Sequence, residues 1–165
     1  MMTTFWDFAL DFYARPGVSA ACLTLQDEAG ADVILLLTAI YADIHGRPLD
    51  GNAVEALREE MKDWREGVVL PLRAARRHLR APLPGRDAEK EKLRSAVKAV
   101  ELSAEKLQLA LAEAWLQRRA LPAGRPLHEV IGHVLGPRAA SPETEEAVER
   151  ALATILAARA LPSAR

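Results

Sequence analysis

Residues 87–119, DAEKEKLRSAVKAVELSAEKLQLALAEAWLQRR, decide the fold. Leu93, Val97, Val100, Ala104, Leu107, Leu111 and Ala114 recur at alternating steps of four and three, the heptad signature of a long helix with one apolar seam. No proline or glycine interrupts the stretch. The segment before it has the same period. Val54, Leu57, Met61, Trp64 and Val68 keep phase, a slip follows at Pro71, and Leu72, Ala75 and Leu79 resume it. A mid-helix proline removes a backbone hydrogen bond and Gly67 eases bending, so a bend is expected around residues 67–71. The linker Ala81-Pro-Leu-Pro-Gly-Arg86 is short, which predicts a long antiparallel helical hairpin over about 52–80 and 87–119. The heptad seam is expected to close this hairpin, with a homodimer as its other use.

Working outward, helix signals continue in both directions. Thr3 or Thr4 can cap a first helix that ends before Pro16-Gly17. A second, about Val18 to Ala29, carries Val18, Ala21, Cys22 and Leu25 on one face and stops at Gly30. Asp32 caps a third, running to about Ile44 and apolar on almost every side, which places it at the centre. Asp50 caps the first half of the hairpin. Beyond it come a short helix, about Pro126 to Leu135, and a last one opened by Ser141-Pro142 with Glu143, Glu145 and Glu146 near its positive end. No strand pattern and no internal repeat is present. The fold class is therefore all-α: one domain spanning 1–165, a bundle of about seven helices with 4–119 as its main body and 120–165 as C-terminal helices.

Composition excludes several classes. Half of the 165 residues are apolar and 27% are charged, so the chain is neither disordered, collagenous nor a disulfide scaffold. One cysteine, Cys22, suits a reducing compartment and, on its helix's apolar stripe, a packing role. The N-terminus lacks a basic region, and its apolar stretch is interrupted by Asp7 and Asp11, a poor signal peptide. Val33 to Ala42 is too short an apolar run to cross a bilayer. A cytoplasmic protein with no membrane contact is expected. The net charge of −1 hides an asymmetry: residues 1–60 carry 3 basic and 10 acidic side chains, and residues 61–100 carry 11 and 5. The acidic N-terminal third is expected to attract the basic middle.

The motifs that tempt a catalytic reading fail on spacing. His128 and His133 lie five apart, about 140° around a helix, whereas a zinc-protease pair must lie four apart. Asp7/Asp11 and Glu101/Glu105 are carboxylate pairs at helical spacing, but no histidine follows a glutamate by three as a di-iron bundle requires. Neither a nucleophile elbow nor a phosphate-binding glycine loop occurs. No metal, cofactor or catalytic residue is expected. Two features stand out instead. Phe5, Trp6, Phe8, Phe12 and Tyr13 put five of the eight aromatics on the first helix, as a lock on the core or a docking face. Arg73, Arg76, Arg77 and Arg80 lie three or four apart, and guanidinium forks suit phosphate and carboxylate.

Phe5-Trp6 with Phe8, Tyr13, Gly17-Val18, Ala21-Cys22-Leu23, Leu25-Gln26, Gly30-Ala31-Asp32-Val33 and Leu35-Leu36-Leu37, followed by Trp64-Arg65, Pro71-Leu72-Arg73, Arg76-Arg77 and Glu101 with Glu105, resemble the pattern of an uncharacterised proteobacterial family of unknown function. The resemblance covers roughly residues 4–110, with Ile34 standing where asparagine is usual and Tyr41 where tryptophan is usual. It implies no activity. It does single out Gln26, Asp32, Trp64, Arg65, Arg73, Arg76 and Arg77, polar or amphipathic residues within otherwise apolar signature segments, as candidates to converge on a ligand. The arginines are expected either to pair with Asp32 or to stand open to an anion. Three functional readings follow, in order: a protein-interaction or self-association module binding an unknown partner or a second copy, a binder of an anionic small molecule or an enzyme acting on one, and a nucleic-acid binder.

Overall fold

A computed structural model describes residues 4–121 and 123–162. The helices are α1 (Phe5–Tyr13), α2 (Val18–Ala29), α3 (Val33–Ile44), α4 (Gly51–Trp64), α5 (Leu70–His78), α6 (Asp87–Arg118), α7 (Leu127–Leu135) and α8 (Pro142–Arg159). Arg65–Val69 forms a π segment that joins α4 to α5 without a break, so the described residues make seven rods and no strand. Local chemistry sets the ends. Thr4 closes a capping box with Asp7, while Thr3 lies outside the described residues. Asp32, Asp50 and Ser141 each accept backbone N–H bonds at a helix start. Gly17 and Gly30 take left-handed φ values of 77° and 62°, where a side chain would be strained.

The phase slip at Pro71 has a definite cause. The Leu70 N–H bonds the Arg65 carbonyl five residues back, and a π turn takes about one more residue than an α turn. Eight residues rather than seven therefore separate buried Met61 from buried Val69. Downstream of the insertion, Arg73 turns inward and Ala75 outward, reversing the assignment made from the apolar pattern alone.

α3 is the centre, with Leu35, Leu36 and Ile40 inaccessible. Phe5, Phe8 and Phe12 of α1 pack on it, and Phe5 stacks on Tyr41 at 4.6 Å between ring centroids. α7 and α8 add Val130, Ile131, Val134, Val148 and Ile155 to this same core. Remote arginines close three helix C-termini, where carbonyls lack helical partners. Arg15 donates to Ala158 and Leu161 beyond α8, Arg47 to Leu116 and Arg119 at the end of α6, and Arg58 to His133 and Val134 of α7.

The hairpin is antiparallel: Arg76 meets Glu101, Trp64 meets the Ala104 carbonyl and Glu60 meets Arg118. Its seam, however, is not the expected one. Leu93, Val100 and Leu107 are 55%, 53% and 55% exposed and Leu111 is 39% exposed, whereas α6 buries Lys90, Glu101, Ala104, Gln108, Ala112 and Trp115. The period was read correctly and the face was not. Polar side chains bonded by the neighbouring helices share the inner line with Ala104, Ala112 and Trp115, and the heptad other than Ala104 and half-buried Val97 faces outward.

Candidate functional site

A cleft of about 690 Å³ opens between α1, α2, the start of α3, α5 and α6. On α6 its lining runs from Ser95 to Leu109, about 21 Å along the helix axis. The two sides differ in chemistry. Trp6, Leu10 and Tyr13 of α1, Leu23 of α2, Val33 and Ile34 of α3 and Leu102 of α6 make an apolar wall. Leu10, Leu23 and Leu102 are each more than half exposed and stand at the mouth.

Opposite them runs a polar ladder, built because α5 and α6 turn their charged lines toward each other. Asp32 anchors its first rung. Asp32 Oδ1 accepts the Ile34 and Leu35 N–H groups at the start of α3 and lies 3.3 Å from Arg65, while Oδ2 accepts from Gln108 Nε2 at 2.9 Å. Gln108 is inaccessible, and its Oε1 has no partner among the described residues. Swapping the amide would set that oxygen against a carboxylate, so the orphan acceptor is inherent in the arrangement. Arg73 and Arg76 form the next rungs. Arg73 donates to Glu101 at 3.1 Å and to Glu105 at 2.8 Å, and both Arg76 Nε and a terminal nitrogen bond Glu101.

These contacts split the two glutamates. Burial pushes the Glu101 carboxyl up, but hydrogen bonds from Arg76 and Arg73 outweigh it and hold it below the ordinary range. Glu105 takes a hydrogen bond from Arg73 alone and faces the Glu101 charge, so burial wins and its carboxyl sits above the ordinary range. The Arg76 guanidinium is raised by its hydrogen bond to Glu101. Burial also raises the Tyr13 hydroxyl, with Cys22 and Glu105 adding to it. Cys22 itself, 1% exposed, is pushed up to about 12 by burial, a packing thiol rather than a nucleophile.

Of the candidates named from sequence, Gln26, Asp32, Arg65, Arg73 and Arg76 line the cleft together. Trp64 does not; its indole N–H donates to the Ala104 carbonyl at 2.8 Å and ties α4 to α6. Arg77 does not either, and pairs with Asp27 of α2 on the open surface. The expected pairing with Asp32 holds for Arg65 alone. Arg73 and Arg76 take their carboxylates from α6, not from the acidic N-terminal third. Arg80, singled out in the basic run, also lines the cleft, whereas Lys98 and the apolar wall were not anticipated from sequence. Trp6 and Tyr13 belong to the aromatic helix expected as a lock on the core or a docking face, and the cleft takes them as part of its wall. Leu102 and Leu109 lie seven apart and off the heptad seam, a signal present in the sequence that the seam obscured.

Arg80 and Lys98 occupy one end of the cleft, where α5 stops and the lined part of α6 begins, and neither has an acidic partner among the described residues. Five cationic side chains line the cleft (Arg65, Arg73, Arg76, Arg80 and Lys98) against three acidic ones (Asp32, Glu101 and Glu105). Among the described residues, no group of three or more His, Cys, Asp and Glu side chains is arranged to hold a metal ion, and no helix is long and apolar enough to cross a membrane. His128 and His133 are both exposed on α7.

No curated protein and no solved structure matches the chain. One family model does, over residues 4–112, a span that contains every residue lining the cleft. The chain belongs to that family, described as Protein of unknown function (DUF2390).

Proposed function

We infer that this chain is a binding protein whose cleft takes an anionic amphiphile, a molecule with an extended apolar body and a negatively charged head. The observation that carries this reading is the pair of uncompensated cations, Arg80 and Lys98, at the end of a cleft walled by exposed leucines and aromatics. Arg73 and Arg76 are held by Glu101 and Glu105, so they shape the site and bias its potential. The volume suits a ligand of ordinary small-molecule size. The apolar body lies against Trp6, Leu10, Leu23 and Leu102, and the head reaches Arg80 and Lys98.

This reading ranks above the interaction module that sequence placed first, because the aromatic helix α1 spends Phe5, Phe8 and Phe12 on the core and gives Trp6 and Tyr13 to the cleft. Nucleic acid stays last. Three of the four arginines in the basic run are paired with carboxylates, which leaves no stripe of open charge to track a phosphate backbone.

Calorimetric titration tests the reading with decanesulfonate, whose charge does not titrate, against decyltrimethylammonium and inorganic sulfate. Decanesulfonate binds at least tenfold more tightly than either control, and Arg80→Glu with Lys98→Glu removes the preference. At a hundredfold excess over Kd it raises stability by about 2.7 kcal/mol, a Tm increase of about 5–10 °C. Equal binding of both amphiphiles, or binding of neither, overturns it.

A further inference from the structure

We propose that the outward heptad stripe of α6 is the interface of a symmetric, antiparallel dimer of this chain. The stripe consists of Leu93, Val100, Leu107, Leu111 and Ala114 of the heptad with exposed Ala96 and Ser103 beside them, while Val97 is half-buried and Ala104 buried; its four large residues are all exposed. At about 100° per residue the stripe's centre lies about 90° or more around α6 from each residue of this helix that lines the cleft, Glu101 and Gln108 included. From residue 93 to 114 the stripe carries no charged side chain. An apolar line across three heptads, interrupted only at Ser103, is the pattern that one helix buries against another. The intramolecular hairpin leaves it unused.

The sequence of the stripe identifies the occupant as a second copy. When two α6 helices run antiparallel about a two-fold axis near residues 103 and 104, Val100 of each faces Leu107 of the other, Ala96 faces Leu111, and Leu93 faces Ala114. Large side chains then oppose small ones at both ends, which keeps the helix axes evenly spaced. The same register sets Glu89, paired within its own chain with Arg86, opposite Arg118, paired with Glu60, so the two ends of the stripe carry charges of opposite sign that would exchange in-chain partners for the other copy. A parallel pair would set Ala96 against Ala96 and Glu89 against Glu89. Antiparallel axes also oppose the helix dipoles. The stripe is about 32 Å long and about 10 Å wide, some 300 Å² per copy, against roughly 800 Å² per partner in a standard interface. The dimer is therefore weak and concentration-dependent.

Sedimentation equilibrium and cysteine cross-linking test the proposal without any ligand, so the result is independent of the cleft. The expected result is a reversible species of twice the 18.0 kDa chain mass at high concentration. Leu107→Glu raises its dissociation constant at least tenfold while leaving the helical circular dichroism unchanged, because Leu107 is exposed. Under mild oxidation the double variant Val100→Cys with Leu107→Cys gives a covalent dimer and Val100→Cys alone gives none; native Cys22, buried, does not interfere. A monomer at every attainable concentration overturns the proposal, as would be expected if the stripe served a helix of another protein. A dimer indifferent to Leu107→Glu, or cross-linking by Val100→Cys alone, also overturns it.

Discussion

Glu101 and Glu105 sit one helical turn apart and face the same arginines, yet their carboxyl groups are displaced in opposite directions. Burial raises both, but Glu101 receives two guanidinium donors against one for Glu105, and the Glu101 charge pushes Glu105 further up. The two displacements have opposite consequences for pH dependence. Glu101 binds its proton less readily folded than unfolded, so its contribution is present above the ordinary carboxylate range and is lost as pH falls through its depressed value. Glu105 binds its proton more readily folded, so stability declines as pH rises from the ordinary carboxylate range through its raised value. Glu101→Gln leaves Arg73 and Arg76 short of their shared carboxylate and costs about 3 kcal/mol, on the order of 10 °C in Tm. Glu105→Gln costs far less and flattens the weakly acidic limb of the stability profile; thermal melts from pH 4 to pH 8 compare the two. The state of Glu105 also sets the charge of the cleft. Decanesulfonate affinity is expected to rise as pH falls through the raised Glu105 value, and Glu105→Gln should remove that dependence. Backbone crowding gives a further test at single-residue scale. A Cβ at Gly124 would lie 2.0 Å from the Pro48 carbonyl oxygen, which a backbone cannot yield, so Gly124→Ala costs at least about 2 kcal/mol by the same melts.

At the scale of helices, the molecule joins its elements by long arginine side chains as much as by apolar faces. Arg15, from the turn between α1 and α2, reaches the last carbonyls of α8 and is held by Asp11 at 2.9 Å. Arg15→Met keeps the stem but leaves those carbonyls without a donor. Hydrogen exchange in the last turn of α8 is then expected to rise more than tenfold while α3 exchanges as before. Equal protection in both proteins would show that α8 is held by Val148 and Ile155 alone. The ends of α2 and α3 and the caps Asp32, Asp50 and Ser141 were legible, because capping and termination depend on near neighbours. The buried face of α6 was not. Periodicity locates an apolar line, but which line a helix buries depends on its neighbours, and Arg73, Arg76, Trp64 and Asp32 bind groups on the polar line. Nor could spacing alone place Arg73, because the π segment before it adds a residue that shifts every position downstream.

Seen whole, the chain has one apolar centre in α3, a cleft on one flank of α6 and an apolar stripe on the other. Five of seven candidate residues were legible as a group because amphipathic residues inside apolar segments need a reason to be there, and the cleft supplies it. Trp64 and Arg77 had other reasons: a tie to the Ala104 carbonyl and a surface pair with Asp27. The cleft wall was illegible because it gathers single side chains from helices far apart in sequence. The claim on which the functional reading depends is that an anionic amphiphile enters this cleft and no other part of the surface. Hydrogen exchange of the chain with and without saturating decanesulfonate tests it most directly. Added protection is expected in α1, in α2 and in residues 95–109 of α6, with α7 and α8 unchanged; protection centred on α7 and α8, or none added anywhere, would refute the cleft as the binding site.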